Sequence, residues 1–199
     1  MRLDEVKGFV LDVDGTLVHR AGEEVHVQPG ALEVLERIRA SGRPLVLATN
    51  GSHAPPETFA EGLRAAGLPV ADSELVTPLR SVQTYLRTHD RDGSILLFAT
   101  DSAREYLERA GVRILDSEDA ARASAVFVAH ADVVDFVELE RAARAVLGGA
   151  RLLTGSYAPA YAGAAQTAER DVHAEVVSDH GQLLRRHPEL IADRLEHGP

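Results

Sequence analysis

The sequence predicts an α/β fold built on parallel sheets, and three observations carry that expectation. Short aliphatic runs alternate with segments of helical periodicity from residue 6 to residue 88, the rhythm of strand–helix–strand units. The same alternation resumes between residues 95 and 154. The first two apolar runs close on polar residues, Asp12 and Asp14 in one and Thr49 and Asn50 in the other. In open parallel sheets ligands bind at the carboxyl ends of strands, so these four residues should share one edge.

Taken in order, Val6 to Val13 is a short run rich in β-branched residues that stops at Asp14-Gly15, the pattern of a buried strand. Residues 15–29 hold glycine, charges and an alternating Val25-His26-Val27, which reads as a loop or small flap. Pro29-Gly30 opens a helix with Ala31, Val34, Leu35 and Ile38 on one face, and Gly42 stops it. Pro44 to Asn50 is a second buried strand. Pro55-Pro56 starts a helix carrying Phe59, Leu63 and Ala66, ended by Gly67. Thr77 and Pro78 supply an N-cap and a first-turn proline before Leu79, Val82 and Leu86. His89 to Gly93 reads as a linker.

Beyond it, Ile95 to Ala99 is a strand, and Ser102 with Glu105 forms a capping box for a short helix stopped by Gly111. Val112–Leu115 and Ala125–Ala129 are strands. Phe136, Leu139, Ala143, Val146 and Leu147 mark the apolar face of a helix that stops at Gly148-Gly149, and Arg151 to Thr154 is a last strand. From Glu169 the chain is polar, with one weak helical pattern around Leu183, Leu184, Leu190, Ile191 and Leu195 that Pro188 interrupts.

Composition excludes several chemistries. With no cysteine among 199 residues, disulfides, thiolate zinc sites, iron–sulfur clusters and a cysteine nucleophile are out. A net charge of -10 argues against a general nucleic-acid binder, which needs a basic face. No stretch approaches the ~18 consecutive apolar residues of a membrane span, and the N-terminus lacks a signal-peptide pattern, so a soluble cytoplasmic protein is expected. The nine histidines are scattered without metal-binding spacing and read as surface or loop residues. Of the 21 basic residues only Lys7 is a lysine.

Asp12-Val13-Asp14-Gly15-Thr16 is the sharpest feature. Two carboxylates at i and i+2 on a strand project to one face. One carboxylate can serve as a nucleophile toward phosphorus and the other as a general acid and base. Gly15 lets the chain turn and lets backbone N–H groups approach an anion. Two carboxylates repel a phosphate, so a hard cation is needed between them, and Mg²⁺ suits two oxygen ligands plus substrate oxygens.

This motif resembles the first motif of the haloacid dehalogenase superfamily of phosphohydrolases. The likeness extends to the subgroup of 4-nitrophenylphosphatase-like, phosphoglycolate and nucleotide monophosphate phosphatases, through Pro29-Gly30-Ala31, Thr49 and Asn50-Gly51-Ser52. The resemblance implies a Rossmann-like core with an inserted α/β cap, divided here as core 1–89, cap 90–168 and a divergent tail 169–199. It implies Asp12 as nucleophile, Asp14 as general acid/base, Mg²⁺ held at Asp12 and Asp14, and Gly15, Thr49, Asn50 and Gly51 on the phosphoryl group or substrate. The substrate would be a small phosphorylated metabolite, with neither nucleic acid nor membrane as partner and with a homodimer formed through the cap.

Two further motifs of that family, a lysine and an acidic G-D-x-x-x-D loop, have no counterpart after Thr154. Val176-Val177-Ser178-Asp179 is a faint stand-in, and Arg170, Arg185 and Arg186 are the cations nearby in sequence. Two readings follow: a Mg²⁺-dependent phosphatase working through an aspartyl-phosphate, or a truncated or impaired homologue serving as a binding or oligomerisation module. The parallel sheet is expected to lack strands on one side of the Val6–Val13 run, unless the tail supplies one.

Overall fold

A computed structural model of the chain describes residues 6–21, 24–90, 93–156 and 175–176. The expected α/β architecture with parallel sheets is present. The first sheet is built from β1 (Phe9–Asp12), β4 (Leu45–Ala48) and β5 (Leu75–Val76), in the spatial order β1-β4-β5. Between β1 and β4 lie a hairpin of β2 (Val18–Ala21) and β3 (Glu24–Val27), then helix α1 (Ala31–Ala40). Helix α2 (Pro56–Ala65) connects β4 to β5. Parallel neighbours need such crossovers.

One buried cluster holds this unit together. Leu47, Leu75, Leu35, Leu63 and Val18 are 0–1% exposed in it, with Phe59 and Leu68. On the other side of β1, Val10 is 40% exposed. Among the described residues β1 has β4 as its sole strand neighbour. The one described piece of the tail, β10 (Glu175–Val176), pairs with the second sheet. Asp179, Arg170, Arg185, Arg186 and the leucine pattern of the tail lie outside the described residues.

The second sheet has the order β10-β9-β8-β6-β7, all parallel, from β6 (Ser94–Phe98), β7 (Arg113–Ile114), β8 (Ala125–Val128) and β9 (Arg151–Thr154) together with β10. Its two faces are covered separately, as a sheet buried on both sides requires. Helices α3 (Pro78–His89) and α4 (Asp101–Arg109) pack Leu79, Val82, Tyr85, Leu86 and Leu107 against Ile95, Leu97, Phe127 and Leu153. Helix α5 (Phe136–Leu147) and a 3-10 helix at Ser117–Arg122 cover Leu96, Phe98 and Val126 on the opposite face. Thus α3 lies within the 1–89 segment but buries its apolar side in the second unit.

Four local expectations change. The 15–29 flap is a true antiparallel hairpin, with His19 opposite His26. Strand β5 was not anticipated, because two residues are too few to display alternation; its Leu75 is nonetheless fully buried. The cap of α4 is Thr100 rather than Ser102, since the Thr100 hydroxyl accepts from Ala103 N at 3.3 Å. In α5 the buried residues are Ala142 and Ala145, while Phe136, Leu139 and Leu147 are 78%, 50% and 88% exposed. Small side chains let this helix lie close to its sheet, and the bulkier apolar residues stand outward.

These placements predict unequal costs of truncation. Leu47→Ala should destabilise the protein by about 2–5 kcal/mol, as for a deleted core leucine. Leu139→Ala should shift stability by no more than about 0.5 kcal/mol. Urea unfolding of both variants checks this, and equal losses would contradict the observed orientation of α5.

Candidate active site

The parallel pairing of β1 with β4 sets Asp12 opposite Ala48, so both strands release their loops on the same edge. Val13 N donates to Ala48 O at 3.0 Å, and Thr49 N donates to Val76 O at 3.1 Å. The chain after Asp12 then winds tightly around the Val13 carbonyl, which accepts from Leu17 N at 2.9 Å and Val18 N at 3.0 Å. Gly15 makes this possible with φ +88°, a backbone state that an L side chain rarely adopts. Its amide is committed to Val18 O at 2.7 Å, so its contribution here is the turn.

Burial alternates through the motif. Val13 is 1% exposed and drops into the core, whereas Asp12 and Asp14 are exposed on the edge. The two carboxylates have different partners. Asp12 accepts from the Thr16 hydroxyl at 3.3 Å. Asp14 accepts from the Thr49 hydroxyl at 2.8 Å on one oxygen and from Arg20 Nε at 2.6 Å on the other.

Thr49 is 1% exposed, so its hydroxyl must be fully bonded. It donates to Asp14 and accepts from Gly51 N at 3.0 Å. Gly51 is also sterically required. A Cβ there would run into the Phe59 ring, 2.6 Å from Cε1. Phe59, 6% exposed, is fixed in the core by α2. Asn50 is exposed beside them. Of the residues named from sequence, Asp12, Asp14, Gly15, Thr49, Asn50 and Gly51 therefore gather on one sheet edge.

Three residues there were not anticipated. Arg20 projects from β2 onto Asp14, with its guanidinium carbon 5.9 Å from the Phe59 ring centroid. The signal was present in Val18-His19-Arg20: alternation along β2 puts Arg20 on the same side as fully buried Val18. His53 meets Phe59 edge-on at 4.7 Å and His130, from the second unit, at 6.0 Å between ring centroids. Burial of its ring, with repulsion from Arg20 and His130, holds the His53 pKa below its usual value against the opposing pull of Asp14 and Asp132. Its carbonyl accepts from the Thr100 hydroxyl at 2.7 Å, a second tie between the two units. No local pattern in sequence marks a contact between residues 77 positions apart.

Asp12 and Asp14 offer hard oxygen donors open to solvent, which fits Mg²⁺, an ion that keeps several waters and takes one or two carboxylates. Among the described residues no group of three or more His, Cys, Asp or Glu side chains is placed to hold a metal. No helix among them is long and apolar enough to cross a membrane.

Comparison with known proteins finds phosphatases of similar sequence and fold. The ribonucleotide monophosphatase NagD of Escherichia coli K12 is 30% identical over 148 residues, covering 74% of this chain and 56% of that protein. The solved NagD structure superimposes with a TM-score of 0.64 at 27% identity, over 75% of this chain and 56% of NagD. A glycerol phosphate phosphatase of Mycobacterium tuberculosis, solved in complex with magnesium, shares the fold at a TM-score of 0.62 and 24% identity, over 75% of this chain and 44% of that one. The chain thus spans about half the length of the relatives it matches. The sequence model of the haloacid dehalogenase-like hydrolases matches residues 9–113, which takes in the Asp12–Thr16 turn, Thr49 and the whole first sheet, and the chain belongs to that family.

Proposed function

We propose that this chain is a Mg²⁺-dependent phosphatase that hydrolyses a small phosphorylated metabolite through an aspartyl-phosphate. The observation that carries the reading is the convergence of Asp12, Asp14 and Thr49 on the carboxyl edge of β1 and β4. Phosphoryl transfer asks mainly for positioning and charge stabilisation, and this edge provides a fixed pair of carboxylates with different surroundings. The NagD likeness points to phosphate monoesters as the substrate class.

In the proposed reaction a carboxylate oxygen of Asp12 attacks phosphorus in line. The bond from phosphorus to the alcohol oxygen breaks, and protonated Asp14 passes its proton to that oxygen. Water then attacks phosphorus of the aspartyl-phosphate while Asp14 takes a proton from it. Phosphate leaves, and both carboxyl groups return to their starting states. Thr49 keeps one oxygen of Asp14 in place through its hydroxyl, and Gly51 N fixes that hydroxyl in turn. Asp12 and Asp14 would hold Mg²⁺, which when bound supplies neutralisation of the phosphoryl oxygens.

A second reading, an impaired homologue acting as a binding or oligomerisation module, draws on the absence of a three-acid group among the described residues. A homodimer through the second unit belongs to that reading as well. One assay separates the two: hydrolysis of 4-nitrophenyl phosphate by the full chain with Mg²⁺ and with EDTA. Activity that needs Mg²⁺ and falls by at least about 1,000-fold in Asp12→Asn, as expected for a lost nucleophile, supports the phosphatase. A folded sample at background rate supports the module.

Thr49→Val keeps shape but removes the hydroxyl that Asp14 Oδ2 and Gly51 N bond, leaving Asp14 held by Arg20 alone. The expected result is a loss of about 10–100-fold in kcat from misplacement of Asp14, with KM changed little, and recovery of most of the rate in Thr49→Ser. Steady-state kinetics of the two variants checks it.

A further inference from the structure

The two carboxylates pose a charge problem that the lysine count sharpens. A phosphate monoester brings further negative charge to Asp12 and Asp14. The single lysine, Lys7, precedes β1, five residues before Asp12. At about 3.3 Å per extended residue it lies roughly 16 Å away, at the opposite end of the strand. It is the one lysine in this sequence.

We propose that Arg20 is the phosphate-binding cation of this site. Its guanidinium rests on Asp14 and uses its terminal nitrogens to take the oxygens of a phosphoryl group placed beside Asp12. This rests on the phosphatase reading above and adds the residue that recognises the phosphate.

Four features support it. First, β2 aims Arg20 inward: Val18, two residues earlier, is fully buried, and the hairpin is pinned at its base by Gln28 N donating to Leu17 O at 2.9 Å. Second, the 2.6 Å contact to Asp14 uses Nε, and among the described residues no partner is found for the two terminal nitrogens. Guanidinium presents its donors in a planar fork suited to phosphate oxygens. Third, the guanidinium sits over Phe59 at 5.9 Å, a ring that is itself buried in the core, which gives the cation a seat that does not depend on the carboxylate. Fourth, the Asp14–Arg20 pair is open to water, with side chains 39% and 36% exposed. An exposed pair of this kind contributes little net stability, so Arg20 can exchange part of its contact with Asp14 for a phosphoryl oxygen.

The test uses the full chain, with inorganic phosphate as the binding probe in calorimetry and 4-nitrophenyl phosphate as substrate. Wild type, Arg20→Gln and Arg20→Lys are compared after their thermal unfolding shows that all three are folded. The proposal expects Arg20→Gln to bind phosphate at least about tenfold more weakly, the loss of one charge-assisted contact. It expects KM to rise by a similar factor with a smaller change in kcat, and Arg20→Lys to recover part of both. Phosphate affinity in Arg20→Gln within twofold of wild type overturns it, as does a wild type that binds no phosphate. Loss of phosphate affinity in Arg20→Gln with no hydrolysis by wild type keeps Arg20 as the anion site while removing the phosphatase reading.

Discussion

The hydroxyl of Thr49 stands 2.8 Å from Asp14 because β1 and β4 run parallel with Asp12 opposite Ala48. Everything else at the edge depends on that pairing. A slip of β4 by one residue would turn Leu47 away from the buried cluster and carry Thr49 off the face that meets Asp14. Burial of Leu47 at 0% exposure therefore fixes the register, and the register fixes the distance between a buried hydroxyl and an exposed carboxylate. The core does not merely support the site; it sets the site's geometry.

Much of this was readable in advance, for reasons that differ by residue. Asp12 and Asp14 are legible because a strand end and an Asp-Gly turn leave a local trace, and Gly15 does adopt the positive φ that its position implies. Thr49 is legible as the polar stop of the next apolar run. Residues whose role comes from another element are not. His53 acquires its surroundings from His130 and Phe59, and Arg20 acquires its own from the fold of a hairpin onto the sheet. The orientation of α5 failed for another reason. Helical periodicity favours the bulkiest apolar residues, whereas close approach to the sheet favours Ala142 and Ala145. Strand β5 is too short for any pattern to show.

The electrostatics of the edge follow from the same arrangement. Two acids emerge from one strand end, in a chain whose net charge is -10. Arg20 pairs with Asp14 and also faces His53: the guanidinium is one reason the imidazole stays neutral more readily than usual. The positive charge is thereby concentrated on one side chain of the flap, directly over Phe59.

The two buried clusters that face α2 and α3 share no residue, and they do not interleave along the chain. The first draws on Val13 to Leu75 and the second on Leu79 to Leu153, with Thr77 and Pro78 between them. During synthesis the first cluster can therefore close before the second has emerged, since domains form as units in the order in which they are made. Asp12, Asp14 and Thr49 would then be in register while α3 is still being added, and the second unit would assemble against an edge that already exists.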